Sequence, residues 1–202
     1  MKLNLCCGEV KLKDFVNVDI NPKQKPDLVL DVTKEILPYE NETVDEVWIM
    51  HGPEHLERNV WDFVFMEALR VLKINGRLVL GYPEWSICAE KYIKALKEND
   101  STHEYWLQTM YGRRYWTGDE HVTAVNSVEV QRILESCGFY RVNYAPESTQ
   151  DYYNTLMSAY KDPAPQYREK VMCDELALGE GKSIQDIASD HFAGVQNYGI
   201  PR

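Results

Sequence analysis

A strand–helix–strand pattern in the first half of the chain restricts its fold more than any other feature. The run VDEVWIM (residues 44–50) has the length and the residue types of a buried strand, and so has GRLVLGY (residues 76–82). The segment ERNVWDFVFMEALRVLK between them has apolar residues at helical spacing, namely Trp61, Phe65, Leu69 and Leu72. The turn pair Asn75-Gly76 predicts the end of that helix. Two strands joined by a crossover helix run in parallel, so the pattern predicts an α/β fold.

Five more runs have the character of strands. They are KLNLC (residues 2–6), FVNVDI (15–20), DLVLDV (27–32), FYRVNYA (139–145) and NTLMSAYK (154–161). The last two follow each other closely enough to pair antiparallel at a sheet edge. The segment NSVEVQRILESCG predicts a second helix, capped by Asn126 and closed by Gly138. We therefore predict a mostly parallel seven-stranded sheet with an antiparallel edge in a domain of residues 1–161, followed by a helical C-terminal extension of residues 162–202.

The net charge of −10 restricts the partners that this chain can bind. Phosphate backbones are held by lysine and arginine, and YGRRYW (residues 111–116) is the one basic candidate for such a contact. Nucleic-acid binding is therefore disfavoured relative to binding of a small molecule or a protein.

No apolar stretch approaches the roughly 20 residues of a membrane span, and we expect a soluble, cytoplasmic protein. Five cysteines without C-x-x-C spacing predict neither a disulfide framework nor a cysteine zinc site.

The stretch HGPEH (residues 51–55) matches H-x-x-E-H, a pattern that holds zinc in some hydrolases. Such a site needs His51 and His55 one helical turn apart. Pro53 disfavours the helical conformation at Gly52 and is best tolerated in the first turn of a helix. The predicted strand ends just before His51, and no third ligand stands at a familiar spacing. We therefore predict a strand-to-helix turn and no metal site.

Polar residues follow four of the predicted parallel strands. Gly8 follows the first strand, Asp19 and Asp31 end the second and third, and residues 51–55 follow the fourth. Ligands bind at this carboxyl edge of open parallel sheets, and a carboxylate after the second strand suits the two hydroxyls of a ribose. Only Gly8 remains of a G-x-G-x-x-G motif, and EVKLKDF is too short for a crossover helix, so a pyrophosphate would be poorly held. A nucleoside ligand without phosphate, such as S-adenosylmethionine, is predicted.

Taken together, these segments resemble the class I S-adenosylmethionine-dependent methyltransferases, and most closely a small bacterial branch with LNLGCG, VNVDI and LEHL segments. LNLCCG, FVNVDI, LVLDV, PEHL and EALRVLKINGRLVL stand in the same order and at suitable intervals. MYGRRYWTGDEHVTAVNSVEVQRILESCGF is similar to the later segment of that branch. The resemblance covers residues 2–161 and implies a three-layer Rossmann-like methyltransferase fold, with S-adenosylmethionine as cofactor and S-adenosylhomocysteine as product. This chain departs from the branch in Cys6, which replaces a glycine, in its shortened first crossover, and in Gly52-Pro53.

The resemblance also implies a role for each matching position. The implied cofactor-binding residues are Asn4, Cys6, Cys7 and Gly8 at the methionine part, Asp19 at the ribose hydroxyls, Ile20, Asp31 and Val32 at the adenine, and His51 at the amino-acid part.

Methyl transfer from a sulfonium is an in-line displacement, so the protein mainly positions the acceptor and supplies a general base where the acceptor is a hydroxyl or an amine. Glu54, His55 and His121 are the candidate catalytic residues, although Glu54 and His55 could instead serve the start of a helix. Arg113 and Arg114 could clamp an anionic group of a small-molecule acceptor. A neighbouring aromatic group could cover that acceptor: Tyr105, Trp106, Tyr111, Tyr115 and Trp116.

Two alternatives belong to other classes of protein. A nonenzymatic module that binds S-adenosylmethionine or S-adenosylhomocysteine is favoured by the three departures from the branch. A nicotinamide-dependent oxidoreductase is disfavoured by the missing glycines, and a metallopeptidase ranks last.

Overall fold

A single mixed sheet forms the centre of the computed structural model, which describes residues 1–115, 118–146 and 153–162. Its strands are β1 (Lys2–Leu5), β2 (Val16–Asp19), β3 (Leu28–Val29), β4 (Val44–Met50), β5 (Leu72–Pro83), β6 (Phe139–Pro146) and β7 (Asn154–Lys161). Their order across the sheet is β3-β2-β1-β4-β5-β7-β6. The first five strands pair in parallel, while β7 lies between β5 and β6 and runs antiparallel to both. The predicted seven-stranded sheet with an antiparallel edge is confirmed.

Four α-helices flank this sheet in the described part of the chain. They are α1 (Trp61–Val71), α2 (Trp85–Lys97), α3 (His103–Tyr111) and α4 (Ser127–Cys137), and short 3-10 turns lie at Pro22–Gln24, Pro53–His55 and Arg58–Val60. Both predicted helices exist as α1 and α4, whereas the sequence patterns did not indicate α2 and α3. None of the described helices has the length and apolar character that crossing a membrane requires.

Helix α1 ends four residues earlier than its turn signal indicated. Leu72 is extended, with φ −64° and ψ 137°, and it begins β5 by pairing with Val44. The register then shifts, so that Glu46 pairs with Arg77 and the intervening residues of β5 bulge out. Asn75, with φ 61°, turns the chain inside this bulge. The prediction that Asn75-Gly76 ends the helix was wrong because pairing with β4 recruits Leu72 into the sheet first.

Helix α4 follows its local signals closely. The side chain of Asn126 accepts a hydrogen bond from the backbone N–H of Glu129, and Gly138 ends the helix in the left-handed conformation with φ 105°. Both predicted caps are confirmed, since each depends on residues within one turn of the helix end.

The hydrophobic core lies between the sheet and the apolar faces of α1 and α4. Trp61 and Phe65 of α1 and Leu134 of α4 are fully buried in it, together with Leu3 of β1 and Ile49 of β4. Burial of each such side chain stabilises the fold by about 1.5–3 kcal/mol. This gain holds the apolar face of α1 against the core, as the helical periodicity of its sequence predicted.

An amide network replaces the missing helix between β1 and β2. Asn4 Nδ2 donates to Asn17 Oδ1 at 3.0 Å, and the backbone N–H of Leu12 donates to the same oxygen at 2.9 Å. Asn17 Nδ2 donates to Asp27 Oδ2 at 2.9 Å. Because Asn4 and Asn17 are buried, their bonds hold the short connection against the sheet without a crossover helix. The expected shortening of this crossover is confirmed.

The predicted C-terminal extension starts at Asp162, and residues 163–202 lie outside the described part of the chain. The extension and its helices therefore stay a prediction.

Candidate functional site

The loops after β2, β1 and β4 lie side by side at the carboxyl edge of the sheet, because these strands are neighbours in that order. Asp19 at the end of β2 joins two of these loops. Its Oδ2 accepts from the backbone N–H of Gly8 at 2.8 Å, and its Oδ1 accepts from that of Asn21 at 2.8 Å. Each carboxylate oxygen has two lone pairs, so Asp19 keeps capacity for two further donors, as a ribose diol requires.

The loop after β1 has a strained backbone at the position where the similar branch has glycine. Cys6 adopts φ 55° and Gly8 adopts φ 50°, both in the left-handed region. A side chain in this region costs roughly 1–2 kcal/mol. Burial, followed by the charge of Asp19, raises the pKa of the Cys6 thiol to about 12, so this thiol is neutral. Cys7 Sγ lies 3.3 Å from Lys11 Nζ.

Gly52 allows the loop after β4 to approach the loop after β1. A Cβ at this position would lie 2.6 Å from Ile49 Cγ2 and 3.1 Å from Cys6 Cβ. Gly52 adopts a helical conformation with φ −110° and ψ −44°, although a proline at the next position was expected to disfavour it. Glycine tolerates this conformation because it has no Cβ to clash with the proline ring. The expectation of a turn still holds, since Pro53–His55 form a single 3-10 turn and His51 precedes it with φ 52°.

The residues implied at the adenine have different environments. Ile20 is exposed, whereas the side chain of Val32 is buried in the hydrophobic core, so that only the backbone of Val32 can meet a ligand. The carboxylate of Asp31 accepts from Thr33 Oγ1 at 2.5 Å and from Lys34 Nζ at 2.8 Å. These two bonds, the one from Lys34 first, lower the pKa of Asp31. Asp31 therefore stabilises its own turn, and its side chain is already engaged.

Glu54, His55 and His121 come together although His121 is distant in sequence. One ligand atom of each lies within 4.8 Å of the others, and the rings of His55 and His121 are in edge contact with centroids 4.9 Å apart. The backbone carbonyl of Glu54 accepts from Val122 N at 2.9 Å, while His55 Nδ1 lies 3.1 Å from the carbonyl oxygen of Glu120. These backbone contacts dock the loop before α4 onto the turn after β4.

Glu54 is the most deeply buried charged side chain in this group, with 2% of it exposed. His51 Nδ1 lies 3.1 Å from Glu54 Oε1, whereas Glu54 Oε2 has no hydrogen-bond partner. Burial alone would raise the pKa of Glu54, but the hydrogen bond from His51 and the positive charge of the nearby imidazoles outweigh it and lower that pKa. Burial lowers the pKa of His121 despite the opposing charge of Glu54.

A small open pocket adjoins this group. It is lined by Glu54, Pro83, Trp85, Cys88, Thr109, Met110, His121, Thr123 and Val125. Most of these residues come from the end of β5, from α2 and α3, and from the loop before α4. Sequence reasoning missed the residues of α2 and α3 because nothing in their local pattern distinguishes a pocket wall from an ordinary helix face.

The residues predicted to bind the acceptor do not line this pocket. Tyr111 ends α3 and is half-exposed, and its carbonyl accepts from His121 N at 3.2 Å. Arg113 is half-buried and Arg114 is exposed, with φ 57°. Tyr111, Arg113 and Arg114 are therefore close to His121 in the chain but are absent from the pocket wall.

Part of the predicted aromatic cover is internal packing. Tyr105 and Trp106 contact the ring of Tyr153 with centroids 6.1 Å and 5.6 Å apart, and Tyr105 Oη donates to Tyr153 Oη at 3.2 Å. Tyr115 is exposed, and Trp116 lies outside the described residues.

No protein-family model and no curated protein sequence matches this chain. Solved structures do match its fold. One is an S-adenosylmethionine-dependent methyltransferase from Thermotoga maritima, described as a possible histamine N-methyltransferase, with a TM-score of 0.53 and 13% identity over 80% of this chain and 81% of that one. Another is an S-adenosylmethionine-dependent methyltransferase from Archaeoglobus fulgidus, with a TM-score of 0.54 and 15% identity over 79% and 85% of the two chains. A third is a protein described as a putative methyltransferase, solved in complex with the Trm112 methyltransferase activator of Haloferax volcanii, with a TM-score of 0.50 and 15% identity over 80% and 82% of the two chains. The Rossmann-like methyltransferase fold expected from the sequence is confirmed.

Proposed function

We propose that this protein is an S-adenosylmethionine-dependent methyltransferase that acts on a small-molecule acceptor. The observation that carries the proposal is the convergence of the loops after β1, β2 and β4 at the carboxyl edge of a methyltransferase-like sheet, with Asp19 joined to Gly8 at its centre. Ligands of open α/β sheets bind at this edge. The likeness to solved methyltransferases supports the same function.

The cofactor would lie across these three loops. Its ribose would bind Asp19, and its methionine part would lie along the backbone of Cys6, Cys7 and Gly8, above the buried Asn4. The adenine would contact Ile20, the backbone of Val32 and the turn of Asp31. The amino-acid part would reach the backbone of His51, whose N–H donates to Gly81 O at 2.7 Å.

The acceptor would occupy the pocket beside Glu54 and His121. The reaction forms one bond from the acceptor oxygen or nitrogen to the methyl carbon and breaks the bond from that carbon to the sulfonium sulfur, which leaves S-adenosylhomocysteine. The protein aligns the two reacting atoms at about 3–3.5 Å and excludes water. Glu54, His55 and His121 would assist the loss of the acceptor's proton. The net charge of −10 favours a small acceptor over a nucleic acid.

Thermal unfolding with and without S-adenosylhomocysteine tests the cofactor site without knowledge of the acceptor. At a hundredfold excess over the dissociation constant, binding stabilises the folded state by about 2.7 kcal/mol, which corresponds to a rise in Tm of roughly 5–10 °C. Asp19→Ala should lose most of this rise. Asp45→Asn is the matched control, because Asp45 lies at the opposite, amino-terminal edge of the sheet and pairs with Lys73 at 2.7 Å.

The outcomes separate the classes of function. A rise that Asp19→Ala abolishes and Asp45→Asn retains supports the cofactor site. A rise with S-adenosylhomocysteine but no methyl transfer to any acceptor tested would favour the nonenzymatic binding module. No rise at millimolar S-adenosylhomocysteine, or a rise with NADH instead, would refute the proposal.

A further inference from the structure

We propose that Glu54, His55 and His121 bind a divalent transition-metal ion at the edge of the pocket. The three side chains come from the turn after β4 and from the loop before α4, and one ligand atom of each lies within 4.8 Å of the others. Glu54 Oε2 is buried and has no hydrogen-bond partner. A buried carboxylate oxygen without a partner is costly, and a bound cation is the partner that it lacks.

The hydrogen bonds of His55 leave the correct nitrogen available for a metal. Its Nδ1 lies 3.1 Å from the carbonyl oxygen of Glu120, and a carbonyl can only accept, so Nδ1 carries the proton. Nε2 is then the atom of this ring that would bind the ion. Metal-binding histidines have this arrangement as a rule, with one ring nitrogen donating to a carbonyl or a carboxylate and the other on the ion.

Glu54 also has one ligand atom held in place and the other available. His51 Nδ1 lies 3.1 Å from Glu54 Oε1, so His51 orients the carboxylate while Oε2 stays available.

The donor set selects the kind of ion. Two imidazoles and one carboxylate suit Zn²⁺, Co²⁺ and related first-row ions, whereas Ca²⁺ and Mg²⁺ prefer sites made of oxygen atoms. With ligand distances of about 2.0–2.2 Å, the donor atoms of a tetrahedral site are roughly 3–3.5 Å apart, so closing this group around an ion needs movements of about 1 Å. Side-chain rotation provides movements of this size.

Three protein ligands leave a fourth position open, which is characteristic of catalytic rather than structural sites. Because Glu54 and His121 also line the pocket, the open position borders the space for the acceptor. On the function proposed above, the ion would stabilise the deprotonated form of an acceptor hydroxyl or amine.

A metal ion held by Glu54, His55 and His121 differs from the predicted absence of a metal site in its ligands, since His51 is not one of them. The sequence argument excluded a helical pair formed by His51 and His55, and His51 indeed lies outside the 3-10 turn. The third ligand was not evident because His121 reaches the site through tertiary structure, from a loop with no fixed spacing to HGPEH.

Titration of the chelator-treated full-length protein with Zn²⁺ and with Co²⁺ tests the site directly. Calorimetry should give one ion per chain, and the Co²⁺ spectrum should show low-symmetry coordination without sulfur-to-metal charge transfer, which separates this site from binding to cysteines. His121→Ala and Glu54→Gln should each weaken binding by about 100-fold or more. His103→Ala is the matched control, since His103 Nδ1 also contacts a backbone carbonyl, that of Asp100 at 2.7 Å, but lies outside the group.

Weak binding with variable stoichiometry, or binding that His121→Ala leaves unchanged, would overturn the proposal. Circular dichroism of each variant checks folding, and His121→Ala decides the question if Glu54→Gln does not fold. The site is also separable from the proposed methyltransferase function. Metal binding that depends on His121, in a protein that S-adenosylhomocysteine does not stabilise, would retain the metal site and reject the methyltransferase. Stabilisation by S-adenosylhomocysteine, in a protein that shows no metal binding dependent on His121, would reject the metal site alone.

Discussion

Replacing Glu84 by glutamine tests how strongly one buried carboxylate stabilises the second half of the fold. Glu84 follows β5 and is 7% exposed. Its Oε2 accepts from the backbone N–H of Ser127 at 3.0 Å, from Ser127 Oγ at 2.5 Å and from Thr155 Oγ1 at 3.4 Å. Ser127 begins α4 and Thr155 belongs to β7, so this single oxygen connects three elements.

The magnitude follows from the two short bonds. Hydrogen bonds to a charged acceptor contribute about 1.5–3 kcal/mol each, against about 0.5–1.5 kcal/mol for neutral pairs, so Glu84→Gln should lose about 2–3 kcal/mol in total. The negative charge at the first turn of α4 adds a smaller favourable interaction with the helix dipole. For a chain of this length the corresponding fall in Tm is about 4–12 °C.

Urea denaturation and thermal unfolding of the wild type, Glu84→Gln and Glu129→Gln measure the effect. Glu129 is the matched control, because it also lies in the first turn of α4 but is 41% exposed and pairs with Arg58 on the surface. Its replacement should change stability by at most about 1 kcal/mol. Equal stability of Glu84→Gln and Glu129→Gln would refute the reasoning from burial.

Two other substitutions test the electrostatics and the backbone. Glu46 accepts from Lys2 and Arg77, and although burial opposes them, these bonds lower its pKa from 4.5 to about 2. Because the pKa of Glu46 is lower in the folded state, its stabilisation is complete above about pH 4.5 and is lost as the pH falls towards 2. In urea denaturation at pH 7, Glu46→Gln should therefore be less stable than wild type by about 1–2 kcal/mol, and this difference should narrow towards pH 3. A difference in stability that does not change with pH would contradict this reasoning. A Cβ on Gly112 would lie 2.0 Å from Asp119 O, whereas one on Gly118 would meet no atom within 4 Å, and both residues have positive φ. Gly112→Ala should therefore cost about 2–4 kcal/mol and Gly118→Ala about 1 kcal/mol in the same assay, and equal losses would show that crowding is not the cause.

Much of the fold was predictable because its signals are local or strictly periodic. The apolar spacing of α1 placed Trp61 and Phe65 in the core, and Asn126 and Gly138 marked the ends of α4. Strand runs and crossover rules were sufficient to predict a mostly parallel sheet. The error at Asn75-Gly76 arose where a local turn signal competed with strand pairing over a longer distance.

The candidate site was predictable only in part. The structure places Asp19 and Gly8 in contact, as expected from the rule that parallel strands bring their carboxyl ends to one edge, and their role in cofactor binding stays a prediction. The pocket walls of α2 and α3 were missed, and Arg113 and Arg114 lie outside the pocket lining. The amide network around Asn17 was also missed, since a strand asparagine has the same local pattern whether it is buried or exposed.

The sequence by itself determined the strands, two helices with their caps, and the edge of the sheet at which the loops after β1, β2 and β4 meet. Each of these depends on residues close in the chain or on a rule that holds for every parallel sheet. Only the tertiary structure brought His121 to Glu54 and His55, through the backbone bond from Val122 to Glu54 and the close approach of Gly112 to Asp119. A ligand set requires distances of a few ångströms between side chains, and the packing of the whole domain determines these distances.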